Sequence, residues 1–435
     1  MAETDTTLIA DYNSFLKEWY IDMIHKARQE KVVFLDEEVI KFDHEHVAGK
    51  YALIPVEFQS FNGVGNRAEN GAMPIPDAGQ YDVAKVSLVN SFAVMQMSLQ
   101  LMKASEGDRA AFNPALAQQM GSTTTAWTRD LNRQVLGDGL AILALSDSSW
   151  TDGDTDAKDI DCAWGIDNTD ARSNGNGDLF VSENLRINVF NSNTLITDGG
   201  ANDDGVINIT AYSRGSGATE ATISMDDSGT GAAGYKIVRD GNKANGATGS
   251  YEANGLMSLL DDGTVAATFQ NIAVATRPDW KAWVHYGDTP GTVEALTRSR
   301  LNKPWKDITM RGSGKVDFLF GGMDTQETYM ELADSMGLVT NMIKLDVAGN
   351  WEGPEYRGVP FIADPIYPET RIEYINKAAL AIYENEPADW IPGDVGVLQK
   401  VAGYANYNAE LAWFWQFGIR NRSHVGSLRD IELVT

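Results

Sequence analysis

Three short stretches carry residue types whose spacing could do chemistry. Gly63-Val64-Gly65-Asn66-Arg67-Ala68 has the letters of a dinucleotide-binding turn, in which glycines let the backbone approach a pyrophosphate held at a helix N-terminus. The next residues, 69–79, are interrupted by Pro74, Pro76 and glycine, so no helix can start there and a loop tip is the better reading. Asp152-x-Asp154-x-Asp156 opens like a calcium loop, but Ala157 stands where the turn needs glycine and Ala163 where a bidentate glutamate belongs. A solvated acidic loop through Asp147, Asp152, Asp154, Asp156, Asp159 and Asp161 therefore outweighs a metal site. His44-x-His46 could present two imidazoles on one strand face, yet no third ligand accompanies them, and an exposed polar turn is expected.

Nothing else suggests catalysis. The chain has no Gly-x-Ser-x-Gly elbow, no lysine-bearing phosphate loop and no supported Cys-His pairing. Its 61 acidic residues guarantee that some carboxylate pair will suit glycoside hydrolysis, so such a pair means little without a cleft. Trp413 and Trp415 could stack on a sugar, but a strand apolar on both faces assigns them to the core. No enzymatic activity, cofactor or metal is expected.

The composition narrows the classes further. A net charge of -26 over 435 residues repels nucleic acid and anionic membranes, which excludes charge-driven DNA binding. A single cysteine, Cys162, rules out an internal disulfide. No apolar stretch reaches the ~18 residues of a membrane span, and the acidic start Met1–Leu8 is unlike a signal peptide, so production in the cytosol is the expectation.

The elements that must position these residues are legible from periodicity. Leu8, Phe15, Trp19 and Met23 predict an amphipathic helix from Thr7 to Glu30, capped near Asp5 or Thr6. Ala52, Ile54, Val56 and Phe58 alternate, as do Ala84, Val86, Leu88, Phe92 and Val94, and together they predict a long hairpin. Pro55 confines the first strand to an edge, because proline cannot donate a ladder hydrogen bond. The second run, from Asp82 to about Gln96, would reach roughly 50 Å, and a two-stranded ribbon of that length needs completing by something else. A neighbouring copy of the chain is the expected support.

Leu116, Met120, Trp127, Leu131 and Val135 predict a helix from a cap at Asn113-Pro114 to Gly137-Asp138-Gly139. An Asp-, Gly- and Asn-rich stretch follows, with strand-like islands at Leu185–Phe190, Val206–Tyr212, Ala221–Met225 and Tyr235–Arg239. It reads as a small inserted β domain whose thin core leans on its surroundings. Beyond it are predicted a helix from about Thr292, a strand at Lys315–Phe320 and a helix capped by the Asp324-x-x-Glu327 box. Strands near Val359–Ala363 and Arg371–Ile375, and a doubly buried strand at Asn408–Arg420, complete an α+β chain.

The order of these elements, with two local motifs, resembles the major capsid proteins of tailed bacteriophages with the Hong-Kong-ninety-seven-type fold. The motifs are Gly63-x-Gly65-x-Arg67-x-Glu69-x-Gly71-x-x-Pro74 at the hairpin tip and Asp130-Leu131-Asn132-Arg133-Gln134-x-x-Gly137-Asp138-Gly139 at the helix exit. The resemblance implies an N-terminal arm (1–48), an extended loop (49–98), a peripheral domain with a long spine helix (99–145 and 376–435), and an axial domain (146–375). The inserted β domain would occupy about 165–250 of the axial domain. It also implies self-assembly into hexameric and pentameric capsomers that enclose double-stranded DNA without sequence-specific binding, in a virion assembled in the host cytoplasm. A portal and a separate scaffold or decoration protein would be the other partners, and no membrane is involved.

Contacts between subunits are expected from Phe61, Arg67, Glu69 and Pro74 at the loop tip and from Phe15 and Trp19 on the arm. Some relatives cross-link a loop lysine to an asparagine of a neighbour. No lysine lies between Lys50 and Lys85, so a non-covalent shell is expected. The competing reading is an exported, acidic, calcium-binding surface-layer or adhesin-like protein. It accounts for the Asp/Gly-rich insert, but not for the long hairpin or the absent signal peptide.

Overall fold

The computed structural model describes residues 33–35, 39–59, 63–69, 71–75, 79–100, 109–146, 158–162, 179–191, 194–195, 206–213, 221–225, 232–242, 251–264, 267–337, 342–344, 352–391 and 398–434. The expected arm helix, with Phe15 and Trp19, lies outside them, as does Phe61.

β1 (Tyr51–Gln59) and β2 (Gln80–Ser87) form the expected antiparallel hairpin, with Tyr51 opposite Ser87 and Val56 opposite Asp82. Period-two alternation puts Ala52, Ile54, Val56, Ala84 and Val86 on one buried face and Leu53, Tyr81 and Val83 on an exposed one. Among the described residues the far edge of β1 is paired by Val47–Ala48 at Tyr51 and Ala52, with the Leu53 N–H bonding the His46 carbonyl (3.3 Å), and this pairing ends before Pro55, whose missing N–H therefore costs it nothing.

Two features of the hairpin differ from expectation. The second apolar run changes sheets at Leu88, whose N–H is donated to the Lys50 carbonyl (3.0 Å). β3 (Val89–Ser98) then pairs along its length with β4 (Asn406–Ile419) of the same chain, from Val89 opposite Trp415 to Ser98 opposite Asn406. The ribbon is therefore about half the expected length. Its apolar face is also covered by its own chain: Phe58 meets Trp280 edge-on at 6.0 Å, Arg277 lies over Phe58 and donates to Gln80, and the Lys85 N–H bonds the Gln270 carbonyl. Intramolecular cover costs no association entropy, so it is preferred wherever the chain can supply it.

α1 (Arg109–Leu136) is the long helix, about 42 Å at 1.5 Å per residue. It already includes Arg109, Ala110 and Ala111, good helix formers, so Asn113 and Pro114 fall within its early turns and do not cap it. Leu131, Val135 and Leu136 are buried, and Trp127 packs edge-on against Trp413 at 6.0 Å. The helix stops where expected, with the Gly137 N–H bonding the Arg133 carbonyl and Gly139 at φ +76°.

All four predicted islands of the insert are strands: Arg186–Asn191, Ile207–Ser213, Ala221–Met225 and Lys236–Arg239. With Ile142–Ser146, Lys158–Cys162 and Thr194–Leu195 they form one sheet, and a further pairing of Ile207–Ser213 with Arg186–Asn191 closes it on itself. Closure gives the sheet its own core of Ile160, Ile187, Val189, Ile207, Ile209, Ile223 and Ile237, so it does not lean on the rest for cover.

A second seven-stranded sheet runs in the order Trp283–His285, Gly426–Leu428, Ile372–Ile375, Phe318–Gly321, Val359–Ala363, Glu352–Tyr356, Met342–Lys344. α2 (Arg298–Met310) and α3 (Met323–Ser335) pack on it through Leu301, Ile308 and Tyr329 against Leu319, Phe361 and Tyr374. α2 begins at the Thr297 cap and not at Thr292, because Glu294–Ala295 first pairs with Ile431–Glu432. The expected Asp324-x-x-Glu327 box does not cap α3. Gly322 is the cap residue, and the Glu369 carboxylate accepts from the Asp324 N–H (2.8 Å) and the Thr325 N–H (3.4 Å).

β4 is buried on both faces from Leu411 to Ile419 except at Phe414, which meets Phe92 edge-on at 6.1 Å, while Asn406–Asn408 and Glu410 are only half-buried, so the doubly buried stretch starts later than the expected Asn408. Trp413 and Trp415 stack at 4.5 Å inside the core, which excludes a sugar platform.

Candidate assembly surfaces

Among the described residues of the hairpin tip, 63–69 and 71–75, no helix follows the glycines, so the dinucleotide reading finds no helix N-terminus there. Two hydrogen bonds shape it: the Gly71 N–H to the Ala68 carbonyl at 2.8 Å, and Arg67 Nε to the Ala72 carbonyl at 3.1 Å. A Cβ at Gly65 would stand 3.8 Å from the Arg67 guanidinium and 3.9 Å from Pro74, so these three residues gather at the base of the turn. Arg67 and Glu69 are exposed, and Pro74 is half-buried.

Three other tip residues were missed in the sequence. Val64, Met73 and Ile75 are 88%, 87% and 86% exposed. Large apolar side chains held this far into water, on the loop of a hairpin whose other face is buried, make the tip a candidate contact surface. Their signal was present as apolar letters inside a Gly/Pro loop, where no core position can exist.

The two histidines do not converge. His46 Nδ1 contacts Asp43 at 2.8 Å, while His44 Nε2 reaches Glu384 at 3.4 Å. Asp43 also pairs with Arg420 at 2.6 Å; burial alone would raise its pKa, but His46 and Arg420 hold it below the usual carboxylate value. Of the acidic run near residue 150, Asp159 and Asp161 fall in the strand Lys158–Cys162 and the others lie outside the described residues. Among the described residues no group of three or more His, Cys, Asp or Glu side chains could hold a metal ion.

The second sequence motif is a buried joint. Arg133 pairs with Glu252 at 2.5 Å and with Asp130 at 3.1 Å, and Arg239 of the closed sheet pairs with Asp130 at 3.0 Å. Burial works against the Asp130 charge, yet Arg133 and Arg239 hold its pKa at about 2. Asp138 is different: burial, aided by the Glu252 charge, pushes it up to about 6, and its Oδ2 is buried without a partner. A small cavity lined by Arg133, Gln134, Asp138, Phe180 and Glu252 lies there. The joint ties the end of α1 to the closed sheet and to the chain returning from it.

A hairpin with an exposed tip, a long helix leading into an inserted closed sheet, and a separate sheet covered by two helices together make the α+β, Hong-Kong-ninety-seven-type fold of phage major capsid proteins. The chain matches a solved structure from the cyanophage A-1(L) capsid asymmetric unit with a TM-score of 0.51 at 12% identity, over 92% of this chain and 91% of that one. Lower likenesses are to the capsid of an empty GTA particle (TM-score 0.45, 8% identity, 99% of this chain and 100% of that one) and to a protein of Mycobacterium phage Bobi (0.43, 8%, 98% and 99%). No protein-family model and no curated protein matches the sequence.

Proposed function

We propose that the chain is the structural subunit of an icosahedral phage capsid, self-assembling into hexamers and pentamers around double-stranded DNA and catalysing nothing. The observation that carries this reading, beside the fold, is the tip with Val64, Met73 and Ile75 presented to solvent. Burying such side chains stabilises by about 1.5–3 kcal/mol each, so one tip would supply on the order of 5–9 kcal/mol when it docks on an adjoining subunit. Arg67 and Glu69 then fix the register by charge pairing, a role in which specificity exceeds affinity. Phe61 and Pro74 at the loop, and Phe15 and Trp19 on the arm, complete the proposed contacts.

The net charge of -26 suits the inside of a container that must release its DNA. The shell is held without covalent links, since residues 51–84 offer no lysine to an asparagine of a neighbour. The particle forms in the host cytoplasm and becomes part of the virion, with a portal and a separate scaffold or decoration protein as further partners. Expression of the chain alone, followed by electron microscopy, tests this reading. Uniform shells or capsomers support it, whereas a calcium-dependent monomer supports the surface-layer alternative.

A further inference from the structure

Charge is sorted between the two helices that cover the second sheet. α2 carries Arg298, Lys303 and Lys306 on its exposed side, and Arg311 follows at its end. Its one acid, Asp307, is half-buried between His285 (3.0 Å) and Arg311 (3.4 Å). α3 contains Asp324, Glu327, Glu331 and Asp334 and no lysine or arginine, and the last three of these acids are exposed. In a chain with 35 basic and 61 acidic residues, an exposed helix face bearing only bases is a departure from the average surface.

Charged helix faces are usually just solvated, and apolar side chains distinguish this one. Met310 at the end of α2, Met323 and Met330 along α3, and Met336 at its C-cap are all exposed. Unbranched thioethers fit adaptable contact surfaces, and here they are interleaved with the charges. Both helices lie in one layer, joined by Tyr356, which bonds Asn302 at 2.7 Å and packs edge-on against Trp305 (5.8 Å) and Tyr329 (5.9 Å). The layer is therefore tied together by Tyr356, basic along one helix and acidic along the next.

We infer that this layer is a self-complementary contact between copies, the basic face of α2 on one chain meeting the acidic, methionine-bearing face of α3 on another. The occupant is a second copy of this chain because both halves of the complementarity are carried by it: bases on one helix, acids on its neighbour, and exposed methionines on each. The inference rests on the capsid-subunit reading and assigns to it a contact distinct from the loop tip. Opposed charges would steer and register the encounter, and like charges placed opposite each other would block it.

The test is charge reversal on the full chain. K303E/K306E and E327K/E331K are each expected to cut the yield of closed shells at least ~10-fold at low salt while the subunit melts as before. The four changes combined on one chain restore opposite charges across the contact and are expected to recover shells. Shell formation by both double variants at the unaltered level overturns the inference, as does a combined variant no better than either. If the unaltered chain forms no shells, the capsid reading itself fails and this contact with it.

Discussion

Asp138 is the residue whose replacement tests the buried joint most sharply. In the folded chain its carboxyl retains a proton up to about pH 6, against an ordinary value of 3.8, because burial and the nearby Glu252 disfavour its charge. Between those two values the folded state binds more protons than the unfolded state, so stability falls as pH rises through that window and stays reduced above it. Two pKa units correspond to roughly 3 kcal/mol, the upper limit of what the wild-type aspartate costs at pH 8. Asp138→Asn keeps the acceptor for the Leu140 N–H (2.9 Å) and places an amide donor where Oδ2 is unpartnered. It should therefore raise the unfolding free energy of the dissociated subunit at pH 8 by about 1–3 kcal/mol, read as a higher urea midpoint, and change little at pH 4. Equal midpoints at pH 8, or the same gain at both pH values, would refute the assignment of a buried-charge cost to this carboxylate.

Gly255→Ala would place a Cβ 2.1 Å from the Gly137 carbonyl oxygen and 2.5 Å from that of Gln134, so it should cost ~3 kcal/mol or more, visible as a lost or strongly lowered melting transition. Glu369→Ala removes the acceptor for the first amides of α3 and should cost about 1–2 kcal/mol, with faster hydrogen exchange at Asp324 and Thr325 while the rest of the sheet stays protected. Met73→Ser with Ile75→Ser should leave subunit stability within ~0.5 kcal/mol, since both side chains are exposed, yet abolish shells in sedimentation and electron microscopy.

Alternation and turn composition located most strands, including the four islands of the closed sheet, because period-two burial is written locally. It could not show that the run from Asp82 to Gln96 changes partners. In β2 the even positions Ala84 and Val86 face inward, whereas in β3 the even positions Phe92 and Val94 face out and Met95 and Met97 face in. An unbroken alternation of letters thus hides a switch between two sheets at Leu88. The cap on α3 was equally invisible, since Glu369 lies 45 residues beyond Asp324 and only folding brings them together. Arg67, Glu69 and Pro74 were recognisable as tip residues by their glycine and proline company. Val64, Met73 and Ile75 were missed although the same company marks them, because an apolar letter is read as core unless the loop around it is weighed.

The closed sheet illustrates the same limit. Its islands looked too sparse for a core, but pairing of Ile207–Ser213 with Arg186–Asn191 closes the ring and lets few side chains fill it. The Asp130 to Gly139 motif, by contrast, had a physical reason in every prominent letter: Asp130 and Arg133 enter the buried charge network, and the glycines let the chain leave the helix beside Gly255.

The central claim is that the hairpin tip is finished by another copy of the chain. A cryo-electron microscopy map of particles formed by the full chain tests it directly. Closed shells are expected in which residues 63–75 lie on an adjoining subunit, with the now exposed Val64, Met73 and Ile75 buried there. Shells whose tips stand in solvent or fold onto their own subunit, or a chain that remains a lone globule, would contradict it.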